Sequence, residues 1–211
     1  MTSEILNTSA SFEVELEEAV RLLCEGGVAA IPTDTLYGLA ADAFNSDAIE
    51  RVFAIKERPE GMALPVLLSD AEQLSIVARE VPESALILAE AHWPGPLTLI
   101  VAKNEGLPPC LTAGHATVAV RVPDHPVPRE LARRLGRPIT GTSANISGAP
   151  DPQSLDELRL QIGGRVGCVV SAGPVPAGTA STIVDLSGNA PQLIREGAIP
   201  FAEIAALLGR D

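Results

Sequence analysis

Two cations stand two residues apart at the end of a predicted helix, in the run Lys56-Glu57-Arg58-Pro59. Such a pair can clamp a phosphate, because a guanidinium binds oxygens as a fork and an ammonium acts as a point charge. The same cations can instead complement the negative end of the helix dipole. The pattern therefore indicates either an anion site or an ordinary helix terminus.

Two further segments are rich in hydroxyl groups. Residues 31–39 read IPTDTLYGL and follow a predicted buried strand, which is where open sheets usually bind ligands. Residues 141–148 read GTSANISG, and loops of this composition expose backbone N–H groups that bind anions. Both segments are also good turn formers, so a ligand site and a structural turn are the two interpretations.

A fourth group lies nearer the end of the chain. Residues 180–185 read ASTIVD, and Arg195 follows inside an otherwise apolar run of a predicted strand. An arginine in that position needs a ligand or a partner, and an ordinary surface ion pair is the simpler choice. Thr117 and Arg121 are four residues apart in another predicted strand, so their side chains face the same side.

Several common motifs are missing from the sequence. It contains no G-x-x-x-x-G-K-[ST] and no G-x-G-x-x-G, so the motifs indicate neither a P-loop nor a dinucleotide-binding fold. The histidines show no zinc-binding spacing. The three cysteines, Cys24, Cys110 and Cys168, are far apart and odd in number, which is typical of a protein from a reducing compartment.

Composition favours a globular protein without a membrane anchor. The 211 residues are 46% hydrophobic and carry a formal net charge of −12, so we expect one domain over residues 1–211 that is a poor bulk partner for nucleic acid or an anionic membrane. The first residues lack the basic and apolar regions of a signal peptide. We therefore expect a cytoplasmic protein.

Short strands alternate with helices along the chain, which predicts an α/β or α+β fold. Some strands follow each other with no helix between them, so the sheet should be mixed parallel and antiparallel. The helices are predicted at residues 12–25, 45–56, 69 onward, 82–92, 128–135, 154–162 and 200–208. The strands are predicted at residues 28–31, 64–68, 97–102, 117–122, 138–141, 167–171, 182–186 and 192–195.

Read in order, these segments resemble the YrdC-type threonylcarbamoyl-AMP synthase family. The resemblance rests on IPTDTLYGLAADAF, KERP, WPGPLTLIV, TVAVRVPDHP, TSANISG, STIVDL and LIREGAI, and runs from about Val28 to Ile199. It implies the catalytic domain alone, with a twisted mixed sheet and surrounding helices around a deep, positively charged cavity.

The resemblance also implies a reaction. L-Threonine, bicarbonate or CO2, and ATP with Mg2+ would give L-threonylcarbamoyl-AMP and pyrophosphate, with Mg2+ held mainly by the ATP phosphates. A separate transferase complex would then move the threonylcarbamoyl group onto an adenosine of tRNA. The protein itself would bind tRNA weakly or not at all.

The family's site residues can be placed on matching positions of this sequence. Lys56 and Arg58 match its Lys-x-Arg signature, and would hold the nucleotide phosphates and serve catalysis. Positions matching the threonine site are Thr33, Arg121, Ser143 and Ser181. Positions matching the nucleotide site are Thr117, Asn145 and Arg195, in addition to Lys56 and Arg58.

The sequence departs from the family pattern after Pro59. Met62 and Ala63 stand where members often carry a polar residue and proline, and Leu67 stands where some carry histidine. Contacts from those side chains are therefore not expected to match the family. The Gly/Pro-rich residues 171–180 are a candidate lid, because a carbamate is unstable in water and gains from a closed site.

Two other functions fit parts of the sequence. A paralogue with the same pocket would hydrolyse threonylcarbamoyl-AMP or a related carbamoyl nucleotide. A non-catalytic module would use the cavity to bind RNA, although the acidic charge and the small number of aromatic residues disfavour it.

Overall fold

The computed structural model describes residues 3–58, 61–173 and 179–209. Its helices are α1 (Ser3–Cys24), α2 (Ser46–Lys56), α3 (Leu74–Val77), α4 (Glu83–His92), α5 (Pro126–Leu135), α6 (Leu155–Ile162) and α7 (Phe201–Leu207), with a short 3-10 helix at Ala71–Gln73. Its strands are β1 (Ala29–Ile31), β2 (Gly38–Ala40), β3 (Val66–Leu67), β4 (Leu97–Ala102), β5 (Thr117–Arg121), β6 (Ile139–Thr140), β7 (Thr142–Ser143), β8 (Cys168–Val169), β9 (Thr182–Asp185) and β10 (Gln192–Arg195).

The strands form two mixed sheets, so the predicted α/β class and mixed strand directions are confirmed. The first sheet has the order β7-β2-β1-β8 and the second has the order β10-β9-β4-β5-β3-β6. In the first, β1 runs antiparallel to β2 and parallel to β8. In the second, β4 runs antiparallel to β5 and parallel to β9.

The first sheet is covered by apolar side chains on both faces. Successive residues of a strand point to opposite faces, and in β1 Ala30 joins one buried cluster while Ala29 and Ile31 join the other. One cluster includes residues of β4 and β5, and the other includes residues of α1 and α5. The strand predicted from the run at residues 28–31 is therefore fully buried, as its composition indicated.

Local capping signals set several helix ends. Asn45 caps α2 by accepting a hydrogen bond from the Ala48 amide, and Ser154 caps α6 through the Glu157 amide. Gly136 ends α5 in the left-handed conformation, with φ of 70°. These ends match the sequence prediction.

Helix α1 starts at Ser3 rather than at residue 12, so its predicted start was wrong. Two further predicted helix starts were wrong as well. Asp70 rather than Ser69 is the cap of the segment that follows, and it opens a 3-10 turn before the short α3. Helix α5 starts at Pro126 rather than residue 128, because His125 accepts a hydrogen bond from the Val127 amide and acts as the cap. Capping residues lie next to each other at both places, and tertiary packing selects between them.

Strands β2 and β7 were not predicted. Gly38–Ala40 has little intrinsic strand preference, and Thr142–Ser143 is only two residues long. They become strands by pairing with each other, Gly38 opposite Ser143 and Leu39 opposite Thr142. This pairing brings the two hydroxyl-rich segments together.

Helix α1 is the longest helix of the described residues, and none of the described helices is apolar enough over sufficient length to cross a membrane.

Candidate functional site

The four polar segments of the sequence meet around one cavity of about 450 Å3. Residues of both sheets line this cavity. This volume lies in the range of small-molecule sites, roughly 300–1,000 Å3. The charged side chains that line it are Arg58, Arg121, Arg195 and Asp151. Its hydroxyl groups come from Thr33, Thr35, Tyr37, Thr98, Thr142, Ser143 and Ser181. Three arginines against one carboxylate suit an anionic ligand in a chain that is acidic as a whole.

Six of the nine predicted site residues line this cavity. They are Thr33, Arg58, Arg121, Ser143, Ser181 and Arg195. The other three, Lys56, Thr117 and Asn145, are not part of its lining. Their places in the fold are described below.

Arg121 is held firmly at the end of β5. It is only 6% exposed, its Nε donates to the Gly95 carbonyl at 2.8 Å and its Nη1 to Thr35 Oγ1 at 2.9 Å. Its Nη2 lies 2.5 Å from Asp34 Oδ2. Burial lowers the pKa of Arg121, and the charge of Asp34 opposes that shift. The guanidinium therefore has a fixed direction at the cavity wall.

Thr33 builds the turn that carries Asp34 and Thr35. Its hydroxyl donates to the Leu36 carbonyl at 2.6 Å and accepts from the Thr35 and Leu36 amides at 3.2 Å each. This is a hydroxyl turn of the kind that threonine favours. The turn interpretation and the ligand interpretation of residues 31–39 are therefore compatible, since the same turn lines the cavity.

Arg58 enters the cavity because α2 ends sharply. Glu57 adopts the left-handed conformation, with φ of 49°. From there Arg58 Nη1 donates to Thr142 Oγ1 at 3.3 Å and Nη2 to the Ala63 carbonyl at 3.4 Å. Its Nε is buried with no hydrogen-bond partner in the described parts of the chain. Because this atom is sealed from solvent, Arg58 contributes to the cavity lining through other atoms of its side chain.

Lys56 sits in the last turn of α2 with its ammonium turned toward the loop after β7. Its Nζ lies 2.5 Å from the Ser143 carbonyl oxygen, 2.9 Å from the Asn145 carbonyl oxygen and 2.9 Å from Asn145 Oδ1. An ammonium has three N–H donors, and here all three have acceptors. The side chain is 3% exposed. In this conformation Lys56 holds the loop and has no free donor for a phosphate.

Asn145 belongs to the same network. Its Oδ1 also accepts from Ser143 Oγ at 2.7 Å, and its Nδ2 donates to the Ala149 carbonyl at 2.7 Å. The amide therefore fixes the direction of the Ser143 hydroxyl at the cavity wall. The residues of the two signatures, Lys-x-Arg and Ser-x-Asn, touch each other although they lie 87 residues or more apart in sequence.

Ser181 and Arg195 form another hydrogen-bonded unit of the cavity lining. The Ser181 carbonyl accepts from Arg195 Nε at 3.1 Å and Nη2 at 2.9 Å, and Ser181 Oγ lies 2.8 Å from Thr98 Oγ1. No carboxylate pairs with Arg195 among the described residues. The surface ion pair considered from the sequence is thus replaced by a contact to backbone. Gly197 permits this, because a Cβ there would lie 2.3 Å from the Ala180 carbonyl oxygen.

Thr117 lies at the far end of β5 from Arg121. Both occupy alternate positions of the strand with Ala119 between them, so they share a face. Ala119 and Arg121 line the cavity and Thr117 does not. The predicted shared face is confirmed, while the distance along the strand separates Thr117 from the cavity.

The positions that depart from the family pattern also have clear places. Leu67 lines the cavity and packs so closely on Gly141 that a Cβ there would lie 2.6 Å from its Cγ. Ala63 contributes its carbonyl to Arg58, and Met62 is half exposed. In the candidate lid, residues 174–178 lie outside the described part of the chain. Just before them, the Ser171 and Ala172 amides donate to Glu15 Oε2.

The sequence interpretation missed Thr98 and Tyr37 as cavity residues. Thr98 is a buried hydroxyl in an otherwise aliphatic strand, which was a signal that it needed a polar partner. Tyr37 lies inside the IPTDTLYGL segment and is the single tyrosine of the chain.

Comparison with known proteins gives a consistent result. The family model for Sua5, YciO and YrdC proteins, described as "Telomere recombination", matches residues 21–197. A threonylcarbamoyl-AMP synthase of Pyrococcus abyssi is 40% identical over 197 residues, which are 93% of this chain and 58% of that protein. A threonylcarbamoyl-AMP synthase of Bacillus subtilis is 38% identical over 207 residues, 98% of this chain and 60% of that protein.

The fold agrees with a solved relative. The crystal structure of Pyrococcus abyssi Sua5 complexed with L-threonine matches with a TM-score of 0.88 and 39% identity, over 92% of this chain and 57% of that one. The chain thus spans less than two thirds of the length of these relatives. The resemblance noted from the ordered motifs is confirmed: the chain belongs to the Sua5/YciO/YrdC family.

Proposed function

We propose that this protein is an L-threonylcarbamoyladenylate synthase. It makes threonylcarbamoyl-AMP and pyrophosphate from L-threonine, bicarbonate or CO2, and ATP. The observation that carries the proposal is the single cavity in which Thr33, Arg121, Ser143 and Ser181 meet Arg58 and Arg195. The names of the relatives and the threonine complex of one of them support the same activity.

The cavity residues have separate roles in this proposal. Arg121 and the hydroxyl groups of Ser143 and Ser181 bind threonine through its carboxylate and hydroxyl, and Thr33 holds the turn that lines the threonine site. Arg58 and Arg195, which both line the cavity, bind the nucleotide. A site that pairs the hydroxyl of threonine rejects valine strongly, because valine would leave buried polar groups unpaired.

Lys56 and Asn145 act by position rather than by direct phosphate contact. Their hydrogen bonds set the loop that carries Ser143. The positive charge of Lys56 still contributes to the field in the cavity. Thr117 has no role in the proposed site, since it lies away from the cavity lining.

The chemistry needs no protein nucleophile. The amine of threonine takes up CO2 as a carbamate, a carbamate oxygen attacks the α-phosphorus of ATP, and pyrophosphate leaves. Catalysis then consists of aligning two anionic reactants and neutralising the charge that develops between them. The buried Arg121, together with the more exposed Arg58 and Arg195, supplies both effects.

Mg2+ enters this site on the ATP phosphates. The described residues contain no group of three or more His, Cys, Asp or Glu that could hold a metal ion, and Asp151 is the carboxylate of the described cavity lining. When bound, the ion would neutralise phosphate charge. Residues of this chain orient the nucleotide around it.

The product passes to a transferase complex that modifies tRNA in the cytoplasm, in this proposal. The activity resides in one domain over residues 1–211. A net charge of −12 disfavours tight binding of tRNA by this chain itself.

A product assay tests the proposal. Purified protein is mixed with ATP, Mg2+, bicarbonate and either L-threonine or L-valine, and pyrophosphate and adenylates are separated by chromatography. The synthase makes both products with threonine and little with valine. The protein is instead a hydrolytic paralogue if no product forms with threonine and if threonylcarbamoyl-AMP, added as a substrate, is cleaved.

The ionisation of Lys56 gives a pH prediction. Burial, with a contribution from neighbouring Arg58 and against the opposing effect of Asp151, lowers the pKa of Lys56 from 10.5 to about 8. Above this pH a neutral amine has two N–H donors for three acceptors, so the loop loses a hydrogen bond. We therefore expect kcat/KM of the wild type to fall, relative to a Lys56→Arg variant, as pH rises through about 8.

The measurement is a pair of pH–rate profiles between pH 6.5 and 10. Arginine stays charged over this range, and the ratio of the two profiles cancels the titration of the threonine amine. A ratio that stays constant across the range contradicts the role of the Lys56 ammonium.

A further inference from the structure

Tyr37 is the only tyrosine in the chain and lies immediately before β2. It is 3% exposed, belongs to the buried cluster that also contains Leu39 and Ala144, and lines the cavity. Its ring is therefore packed among apolar side chains, while its small exposed part faces the cavity.

Within residues 3–58, 61–173 and 179–209, the hydroxyl of Tyr37 has no hydrogen-bond partner. No side chain or backbone group in the described residues forms a hydrogen bond with it, although buried tyrosine hydroxyls usually have one. The hydroxyl oxygen is not among the polar atoms that are sealed from solvent and lack a hydrogen-bond partner. The phenol oxygen is consequently open to the cavity and free to bind a ligand.

Strand pairing places the phenol on the Arg58 side of the cavity. The Ala144 amide donates to the Tyr37 carbonyl at 2.8 Å, which continues the pairing of Gly38 with Ser143 and Leu39 with Thr142 by one residue. Alternation along the strand then puts Tyr37 on the face that carries Leu39 and Thr142. Thr142 Oγ1 is the acceptor of Arg58 Nη1.

We propose that the Tyr37 hydroxyl donates a hydrogen bond to the nucleotide phosphate that Arg58 binds. The proposal rests on the nucleotide substrate of the proposed function. The phenol and the Arg58 guanidinium belong to neighbouring parts of one wall, and phosphate oxygens accept several hydrogen bonds at once. Burial raises the pKa of Tyr37 above 10.0, so the phenol keeps its proton at neutral pH and acts as a donor.

A fluorine label on the wild-type sequence tests this directly. Full-length protein with 3-fluorotyrosine has one labelled site, because the chain has one tyrosine, and therefore gives one 19F resonance from the protein. ATP is expected to shift this resonance, and threonine alone is expected to leave it within the line width. A resonance that ATP does not move, or that threonine moves more than ATP does, overturns the proposal.

The variant Tyr37→Phe measures the contribution to binding. Phenylalanine keeps the ring in the apolar cluster and removes only the hydroxyl. We expect calorimetry to give a Kd for ATP that is about tenfold higher or more, as loss of a hydrogen bond to a charged group implies, with a threonine Kd within twofold of wild type. An unchanged ATP Kd, or an increase confined to threonine, overturns the assignment.

These binding measurements do not require turnover. If ATP binds and depends on Tyr37 but threonine produces no pyrophosphate, the phosphate contact holds and the synthase function fails. If the wild type makes threonylcarbamoyl-AMP and Tyr37→Phe binds ATP normally, the synthase function holds and the Tyr37 proposal fails.

Discussion

Replacing Lys56 with alanine is expected to lower threonine-dependent pyrophosphate release by at least about 100-fold, since displacement of site groups by an ångström can cost that much. The change removes three hydrogen bonds to the Ser143 and Asn145 carbonyls and to Asn145 Oδ1. It leaves acceptors unpaired in a buried place, so we also expect a loss of about 3 kcal/mol in the free energy of unfolding. Ser143 then loses its fixed direction at the cavity wall.

The chain offers a matched control in Lys103, its only other lysine, whose Nζ makes one contact of 3.5 Å to the Leu107 carbonyl. Rates are measured with saturating ATP and threonine, and stability by urea unfolding. Lys103→Ala should resemble the wild type in both. Activity of Lys56→Ala within a few-fold of wild type contradicts the positioning role.

Replacing Arg121 with alanine is expected to lower the free energy of unfolding more than Lys56→Ala does. The variant leaves the carboxylate of Asp34, with a side chain 14% exposed, without its cation, and breaking such a buried pair costs about 3–5 kcal/mol. It also removes the guanidinium proposed to bind the threonine carboxylate. Threonine should therefore fail to saturate the enzyme at concentrations that saturate the wild type.

A double variant separates the two effects of Arg121. In Asp34→Asn with Arg121→Met the unpaired charge is gone, so the double variant should be more stable than Arg121→Ala while still failing to bind threonine. Arg159→Ala is a control, because its contact with Asp156 is 3.9 Å long and lies on the surface; it should change the melting temperature little. Normal threonine affinity in the double variant contradicts the role of Arg121.

The convergence of the polar segments was predictable from the sequence in part. Strand and helix signals placed each segment at the end of an element, and six of the nine residues that the ordered resemblance identified line the cavity. The alternation of strands and helices also predicted the mixed sheets. These features depend on local periodicity and composition, which a sequence displays directly.

The partners of individual side chains were not predictable in the same way. Lys56 reads as a phosphate ligand because a cation at a helix end is suited to one, yet its acceptors lie in a loop 87 or 89 residues further along the chain. Arg195 reads as needing a ligand or a partner, with a surface ion pair as the simpler choice, and it contacts the Ser181 carbonyl. Such pairings depend on the long-range register of strands, which short strands such as β2 and β7 do not encode locally.

Isotope labelling of the substrates identifies the product of the proposed reaction atom by atom. Protein is incubated with ATP, Mg2+, L-threonine and 13C-labelled bicarbonate, and the adenylate is analysed by mass spectrometry. We expect an adenylate that contains threonine and one 13C atom, formed in equal amount with pyrophosphate. Formation of AMP without a threonine-containing adenylate, or an adenylate without the label, would contradict the proposal that threonine, CO2 and ATP meet in the cavity around Arg58 and Arg121.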